Sequence, residues 1–343
     1  MFSTRLSFNA RWLSSSLLIV LFIVAACSQV AQTTATPNPS HSAKLPGEQL
    51  WKQGVSSFLF GTNDSQEWAM NNIETNPRIQ DALKAAHFTL MRTFFFDKSL
   101  ADGHPTTDAE IEQRLQTIER SGMTCFGVLQ NIFDIAFDKH VISYAGSRCQ
   151  IYEFGNEPDG NGISAAQYIT QWNLAIPQFK RINPQAVFVG GAGARLAYTQ
   201  QFLQGTKESG IIPDAIDIHW YPCWQEGPTT CLPKATSILD TVQQFRDVMQ
   251  ETLGYQIPVG VGEWNMDPGN NFTLANDTAF MTSFTKTALQ SIVLAKVAFA
   301  NQYDAANYSG YGALDMFDVS QPDAPPKVQF YTMKDIISAY FPS

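Results

Sequence analysis

Positive charge is scarce in this chain. Lysine and arginine together number 22 against 31 aspartates and glutamates, the formal net charge is -9, and no basic run occurs. A chain of that sign is a poor partner for nucleic acid or for anionic lipid headgroups. Charged residues of either sign make up only 15% of the sequence and hydrophobic residues 44%, which excludes a disordered polyelectrolyte and leaves ample material for a large core. The five histidines are scattered, and no spacing among the five cysteines resembles a zinc site. No glycine-rich loop follows the first apolar run, which weakens any nucleotide-binding reading. Internal sequence repeats are missing as well.

The one long apolar stretch, Leu17–Ala26, is too short to span a bilayer comfortably. Arg5 and Arg11 precede it and Val24-Ala25-Ala26-Cys27 follows, a tetrad that resembles the lipobox of bacterial lipoproteins. Residues 1–26 thus read as a lipoprotein-type signal peptide, with Cys27 the expected lipidated N-terminus. Residues 27–48, rich in Thr, Ser, Pro and Ala, read as a flexible tether. The expected location is the bacterial cell surface or exterior, with contact to the membrane only through the lipid. The other four cysteines form an even set, which in an exported chain favours disulfides. Cys223 and Cys231 flank one loop and should pair locally. Cys125 and Cys149 fall near the starts of two strands that should be neighbours, close enough to bridge.

From residue 49 to 343 short apolar runs alternate with amphipathic stretches. Eight runs stand out: Ser56–Phe60, Thr89–Phe95, Thr124–Gln130, Ile151–Gly155, Ala186–Gly190, Ala215–Trp220, Ile257–Gly262 and Ala305–Tyr311. Between them, Ile111–Ile118, Ala165–Ile182 and Ile238–Thr252 have helical periodicity, and Gln329–Tyr340 would be the closing helix. Eight strand–helix units predict an α/β fold of the (β/α)8 TIM-barrel type in a single domain. A doubly wound open sheet is the architectural alternative.

In such a barrel the working groups sit where the strands end. The fourth run ends in Asn156-Glu157-Pro158 and the seventh in Glu263-Trp264. The second carries Arg92, and the sixth leads through His219 to Tyr221. Cleavage of a glycosidic bond needs a proton donor for the leaving oxygen and a carboxylate facing the developing oxocarbenium ion. Glu157 suits the first role and Glu263 the second, and a donor needs a raised pKa. Arg92 could hold Glu263 ionised, and Tyr221 could hydrogen-bond to the same carboxylate. His219, two residues earlier, should face the same side. Asn156 could offer its amide to a sugar hydroxyl. Glu153, deeper in the fourth strand, reads as a structural group that needs a partner.

These strings together resemble clan A of the glycoside hydrolases, over roughly residues 50 to 340. The resemblance implies a (β/α)8 barrel, retention of configuration, Glu157 as acid/base and Glu263 as nucleophile, with Arg92, His219 and Tyr221 matching further positions of the pattern. It implies a carbohydrate partner, a β-linked oligo- or polysaccharide, with no metal or cofactor. The β-xylosidase-like branch is similar through Glu263-Trp264-Asn265 and the closing segment; the β-1,3-glucanase branch is similar through Asn-Glu-Pro-Asp and His-Trp-Tyr. A catalytically inactive carbohydrate-binding lipoprotein on the same barrel is the alternative function. Many members carry a tryptophan sugar platform after the eighth strand. Here that region offers Tyr308, Tyr311 and Phe317, and Trp264 or Trp224 could supply the surface instead. Asn63, Asp64 and Asn131 are further expected contacts.

Overall fold

The computed structural model describes residues 44–64, 73–97, 106–269, 271–306 and 313–342. Among them, eight parallel strands close into a barrel in sequence order. They are β1 (Gly61–Asn63), β2 (Leu90–Phe95), β3 (Thr124–Leu129), β4 (Cys149–Phe154), β5 (Val187–Gly190), β6 (Ala215–Trp220), β7 (Val259–Trp264) and β8 (Ala300–Gln302). Closure comes from β1 pairing with β8, Gly61 opposite Asn301 and Thr62 opposite Gln302. The connecting helices are α1 (Pro77–Ala85), α2 (Asp108–Arg120), α3 (Ile135–Ala145), α4 (Ala165–Ile182), α5 (Leu196–Ser209), α6 (Pro228–Cys231), α7 (Ile238–Leu253), α8 (Phe272–Ala275), α9 (Thr278–Ala295) and α10 (Val328–Tyr340). The fold is the expected (β/α)8 barrel, and the closed sheet excludes the open doubly wound alternative.

Local chemistry sets the element boundaries. Thr107 and Glu110 form a reciprocal capping box at the start of α2, and Ser164 and Gln167 do the same for α4. Gly210 and Gly254 end α5 and α7 in the left-handed region.

Two of the eight expected strands were misplaced. Ser56–Phe60 forms a 3-10 turn, Ser57–Leu59, whose start is capped by the Ser56 hydroxyl accepting from the Phe58 N–H. The strand itself is the next three residues. Likewise β8 is Ala300–Gln302, not Ala305–Tyr311. Both true strands are three residues long and mostly polar, so hydropathy does not mark them. Polar side chains of β1 bond inside the barrel instead: Thr62 Oγ1 donates to the Gln302 carbonyl at 3.2 Å and Asn63 Nδ2 to the Gly262 carbonyl at 3.0 Å.

The core has two parts. Outward-facing strand residues pack against the helices in one continuous apolar layer. Inside, a smaller plug fills the floor: Phe58, Leu90, Phe126, Ile151, Val189, Ala215 and Phe299, with Leu45 beneath them. Leu45 lies within the segment 27–48 expected to be tether, so the packed domain begins a few residues earlier than residue 49. The signal peptide, Cys27 and the rest of the tether lie outside the described residues.

Both expected disulfides are present. Cys125 and Cys149 join β3 to β4 with Cα atoms 4.9 Å apart, and Cys223 and Cys231 close a loop after β6 with Cα atoms 5.5 Å apart.

Candidate active site

Above the apolar plug the barrel interior turns polar, and period-two alternation explains which residues enter it. Leu90 belongs to the plug and Arg92 stands one layer higher; Ile151 and Glu153, and Ala215, Asp217 and His219, repeat that order on β4 and β6. Arg92 is completely buried and organises the centre. Its Nε donates to Glu153 Oε2 at 2.6 Å, Nη1 to Glu263 Oε1 at 2.7 Å and Asn63 Oδ1 at 2.8 Å, and Nη2 to Asn156 Oδ1 at 2.7 Å. Only a planar, multiply donating cation serves four acceptors in different directions. Burial alone would pull its pKa down, but the charges of Glu153, Glu263 and Asp217 more than reverse this.

The two glutamates reach the pocket by different backbone routes. Glu263 belongs to β7 and is buried. A register irregularity between β6 and β7 places it opposite His219. Glu157 lies beyond the end of β4, on a turn where Gly155 has φ 81° and Glu157 itself φ 43°, a left-handed conformation uncommon for a non-glycine residue. The Glu157 N–H donates to the Ala192 carbonyl at 2.6 Å, which pins the turn. This turn lets the adjacent residues Asn156 and Glu157 both face the site, which a straight strand forbids. The Glu157 side chain is 46% exposed, against 6% for Glu263, so one carboxylate meets solvent and the other does not.

An oxygen of Glu157, an oxygen of Glu263 and a ring nitrogen of His219 all lie within 4.8 Å of one another. Tyr221 donates its hydroxyl to Glu263 Oε2 at 2.8 Å. His219 serves the other glutamate: its Nδ1 is 2.8 Å from Glu157 Oε1 and 3.5 Å from Glu263 Oε2.

Electrostatics follow from these contacts. The hydrogen bond from His219 holds Glu157 below the usual carboxylate range, against the opposing effect of burial. The raised donor pKa expected from the sequence is therefore not observed, because His219 sits on Glu157, a contact no local pattern announces. Burial pushes His219 down, but the charge of Glu263 and contacts with Asp217 and Glu157 outweigh it and hold the imidazole well above its ordinary range. Glu153 is pushed up to about 8 by burial, with Arg92 pulling it down and Asp217 pushing it up. Burial and the Glu263 charge raise the Tyr221 phenol, keeping it a donor.

Two groupings of potential metal donors occur among the described residues, Glu153/Asp217/His219 and Glu157/His219/Glu263. Arg92 contacts Glu153 and Glu263 and lies 3.4 Å from His219 Nε2. A permanent cation inside both groupings opposes a second one, so neither fits a divalent ion.

No protein-family model matches the chain, and no curated protein matches it. Solved structures do. A family 39 glycoside hydrolase from Bacteroides cellulosilyticus aligns at a TM-score of 0.60 and 14% identity, over 82% of this chain and 63% of its own length. The chain thus spans less than two thirds of that protein. A monomeric beta-xylosidase from Caulobacter crescentus aligns at 0.64 and 14% identity, over 82% and 68%. An alpha-L-arabinofuranosidase from Thermotoga maritima aligns at 0.62 and 12% identity, over 85% and 71%. At these identities the likeness is one of fold.

The remaining expected contacts divide. Asn63 reaches the centre through Arg92. Asn156 has committed Oδ1 to Arg92, which leaves its amide NH2 to offer a ligand. Trp224 is 66% exposed on the loop after β6. That loop is held by the Cys223–Cys231 disulfide, by the Cys223 N–H donating to the Met266 carbonyl at 2.9 Å, and by the Gln225 N–H donating to Asp267 Oδ2 at 2.6 Å. Trp264 corrects the expectation: it is 1% exposed and packed in the outer apolar layer. Its neighbour Glu263 takes the inward position, so Trp264 presents no face to a sugar. Asp64 is likewise absorbed elsewhere, by Arg114 at 2.8 Å and by Thr93. Asn131 donates to Asp97 at 2.6 Å. Phe317 is buried against Phe330, while Tyr308 and Tyr311 lie outside the described residues.

Two residues at the site went unassigned from the sequence. Tyr303 follows β8 directly and meets Tyr221 edge-on, ring centroids 6.4 Å apart; the misplaced eighth strand hid it. Asp217, fully buried on β6, was legible in principle. It lies two residues before His219, and a carboxylate in the middle of an apolar strand must find a partner inside.

Proposed function

We propose that this chain is a retaining glycoside hydrolase cleaving O-glycosidic bonds of a β-linked oligo- or polysaccharide, with Glu263 as nucleophile and Glu157 as general acid and base. The observation that carries the reading is that an oxygen of Glu157 and an oxygen of Glu263 lie within 4.8 Å of each other. Retaining enzymes hold their carboxyl groups about 5–5.5 Å apart, whereas inversion leaves room for a water at about 6.5–9.5 Å. The differing environments support the division of roles. Glu263 is buried between Arg92 and the Tyr221 hydroxyl, which favours a fixed anion aimed at an anomeric carbon. Glu157 is half exposed, able to meet a leaving-group oxygen and later a water. The barrel shared with glycoside hydrolases is consistent with this, and the differing sugars in the names of those proteins leave the sugar open.

The experiment is a panel of chromogenic glycosides and defined polysaccharides, with product stereochemistry followed by NMR. Product of retained configuration, with turnover lost in Glu263→Gln, is expected. Inverted product, or full turnover in Glu263→Gln, refutes the assignment. A protein that binds oligosaccharides but cleaves none would establish the inactive binding alternative. We also propose export as a membrane-tethered lipoprotein; the Val24–Cys27 tetrad and the two disulfides support it. Mass spectrometry showing an unmodified Cys27 would refute it.

A further inference from the structure

Asp217 has no place in the reaction as described above, yet it is fully buried beneath the catalytic pair. Its Oδ1 accepts the Gly262 N–H. Its Oδ2 has no hydrogen-bond partner and lies 3.4 Å from His219 Nε2. The other face of the same imidazole, Nδ1, is 2.8 Å from Glu157 Oε1. The imidazole thus meets Asp217 and, also at 3.4 Å, Arg92 Nη2 on its Nε2 side, and Glu157 with Glu263 at 3.5 Å on its Nδ1 side. The surroundings hold this arrangement in place. A Cβ at Gly262 would collide with the Asp217 carboxyl, and a Cβ at Gly193 would collide with the His219 ring.

Resting on the hydrolase reading, the geometry points to Asp217 as a positioning residue for the acid–base step: it fixes His219 as the Nε2–H form, so that His219 stores at Nδ1 the proton that charges Glu157. Before a sugar binds, the imidazole carries both ring protons and Glu157 is ionised. Every charged group facing the ring bears on that state. Arg92 on β2 opposes it, whereas Glu157 beyond β4, Asp217 on β6 and Glu263 on β7 favour it; Glu153 on β4, pushed up to about 8, adds to this only where it is ionised, and the Tyr221 phenol is neutral. The raised affinity of His219 for its second proton agrees with the geometry.

A sugar filling the mouth removes water from around the half-exposed Glu157. The separated imidazolium and carboxylate then lose hydration, and the proton moves from Nδ1 to Oε1 along the existing hydrogen bond. His219 becomes neutral with its remaining proton on Nε2, facing Asp217. Glu157 passes its proton to the glycosidic oxygen as the bond from that oxygen to the anomeric carbon breaks and the bond from Glu263 forms. In the second half, water adds to the anomeric carbon, Glu263 leaves, and the proton from water goes to Glu157. When the product departs the proton returns to Nδ1. No proton is gained or lost over the cycle.

The test is Asp217→Asn, which keeps an oxygen for the Gly262 N–H but turns an NH2 group, a donor only, towards Nε2. That removes the Nε2 proton and leaves a neutral Nδ1–H ring, which cannot charge Glu157. Nitrogen NMR of the imidazole at neutral pH should show a doubly protonated His219 in the wild type and the neutral Nδ1–H form in Asp217→Asn. Rates on glycosides with a poor leaving group should fall about 100-fold, while those on dinitrophenyl glycosides, which need no acid, stay within about threefold. Equal loss on both substrates, or an unchanged His219 signal in the variant, would overturn the proposal. So would a wild-type His219 already neutral at that pH, a result that needs no variant to fold. A wild type that cleaves no glycoside refutes the hydrolase reading, and the imidazole signals still decide the Asp217–His219 pairing.

Discussion

Replacing Arg92 by methionine should cost the fold more than almost any other single change. Methionine roughly fills the space and removes the cation. Two carboxylates, Glu153 and Glu263, lose a partner at 2.6 and 2.7 Å, and the side-chain oxygens of Asn63 and Asn156 lose their donor. Breaking a buried ion pair from one side costs about 3–5 kcal/mol, and a buried acceptor left empty about 1 kcal/mol or more. The expected loss is therefore about 5 kcal/mol, or a melting temperature lower by roughly 8 °C for a domain of about 300 residues. The pH dependence follows from the sign of the shifts. Glu153 already has a folded pKa of about 8, raised by burial against the pull of Arg92. Without the arginine the folded form holds its protons more tightly still, while the unfolded chain keeps its ordinary carboxylates. A group raised in the folded state stabilises below its unfolded pKa and loses that contribution as pH rises through the folded one. The variant should consequently recover part of its deficit near pH ~5 relative to pH ~8. Urea denaturation at those two values is the assay. Arg92→Lys, which restores charge but not the planar fork, should recover only part of the loss. A deficit below about 1 kcal/mol, or one equal at both pH values, would refute the view that Arg92 holds the centre together.

Other outcomes are open to simple measurement. Asp138 is fully buried on α3, neither carboxyl oxygen has a hydrogen-bond partner, and burial, with Asp134 and Asp97 nearby, raises its pKa well above the usual range. Its charged form destabilises the fold once pH exceeds the ordinary carboxylate pKa, so Asp138→Asn should gain about 1–3 kcal/mol at neutral pH and nothing near pH ~3.5, read by thermal melts. Removing the disulfide between Cys125 and Cys149, which are 24 residues apart, should cost about 3.5 kcal/mol, and removing the one between Cys223 and Cys231, 8 apart, about 2.5 kcal/mol, by the loop-entropy relation. Double serine variants unfolded in urea would rank the two, and the reverse order would count against it. Trp224→Ala should weaken kcat/KM for oligosaccharides about five- to tenfold and leave aryl monosaccharide glycosides unchanged, since only a chain extending past the cleaved bond would reach that exposed ring.

The helices and the longer strands were readable because each buries one face or both, and burial imposes a period. Ala165–Ile182 was bounded by a capping pair and read correctly to the residue. The short polar strands β1 and β8 were not readable. Thr62 and Asn63 of β1 bond to carbonyls on other strands, and nothing local announces that. The same error hid Tyr303 and left Trp264 as an expected sugar contact, although alternation from Glu263 argued against it.

Sequence order and composition alone pointed to the barrel, to the pairing of the four cysteines and to the two glutamates at strand ends, because these follow from periodicity and from where a barrel exposes its strand termini. Tertiary structure alone decided which group each histidine nitrogen meets. It also decided that Arg92 serves four acceptors at once, and that Glu157 enters the pocket from a left-handed turn. The contacts of Arg92 and of His219 Nδ1 join residues 29 to 171 positions apart, and no local preference of the chain encodes them.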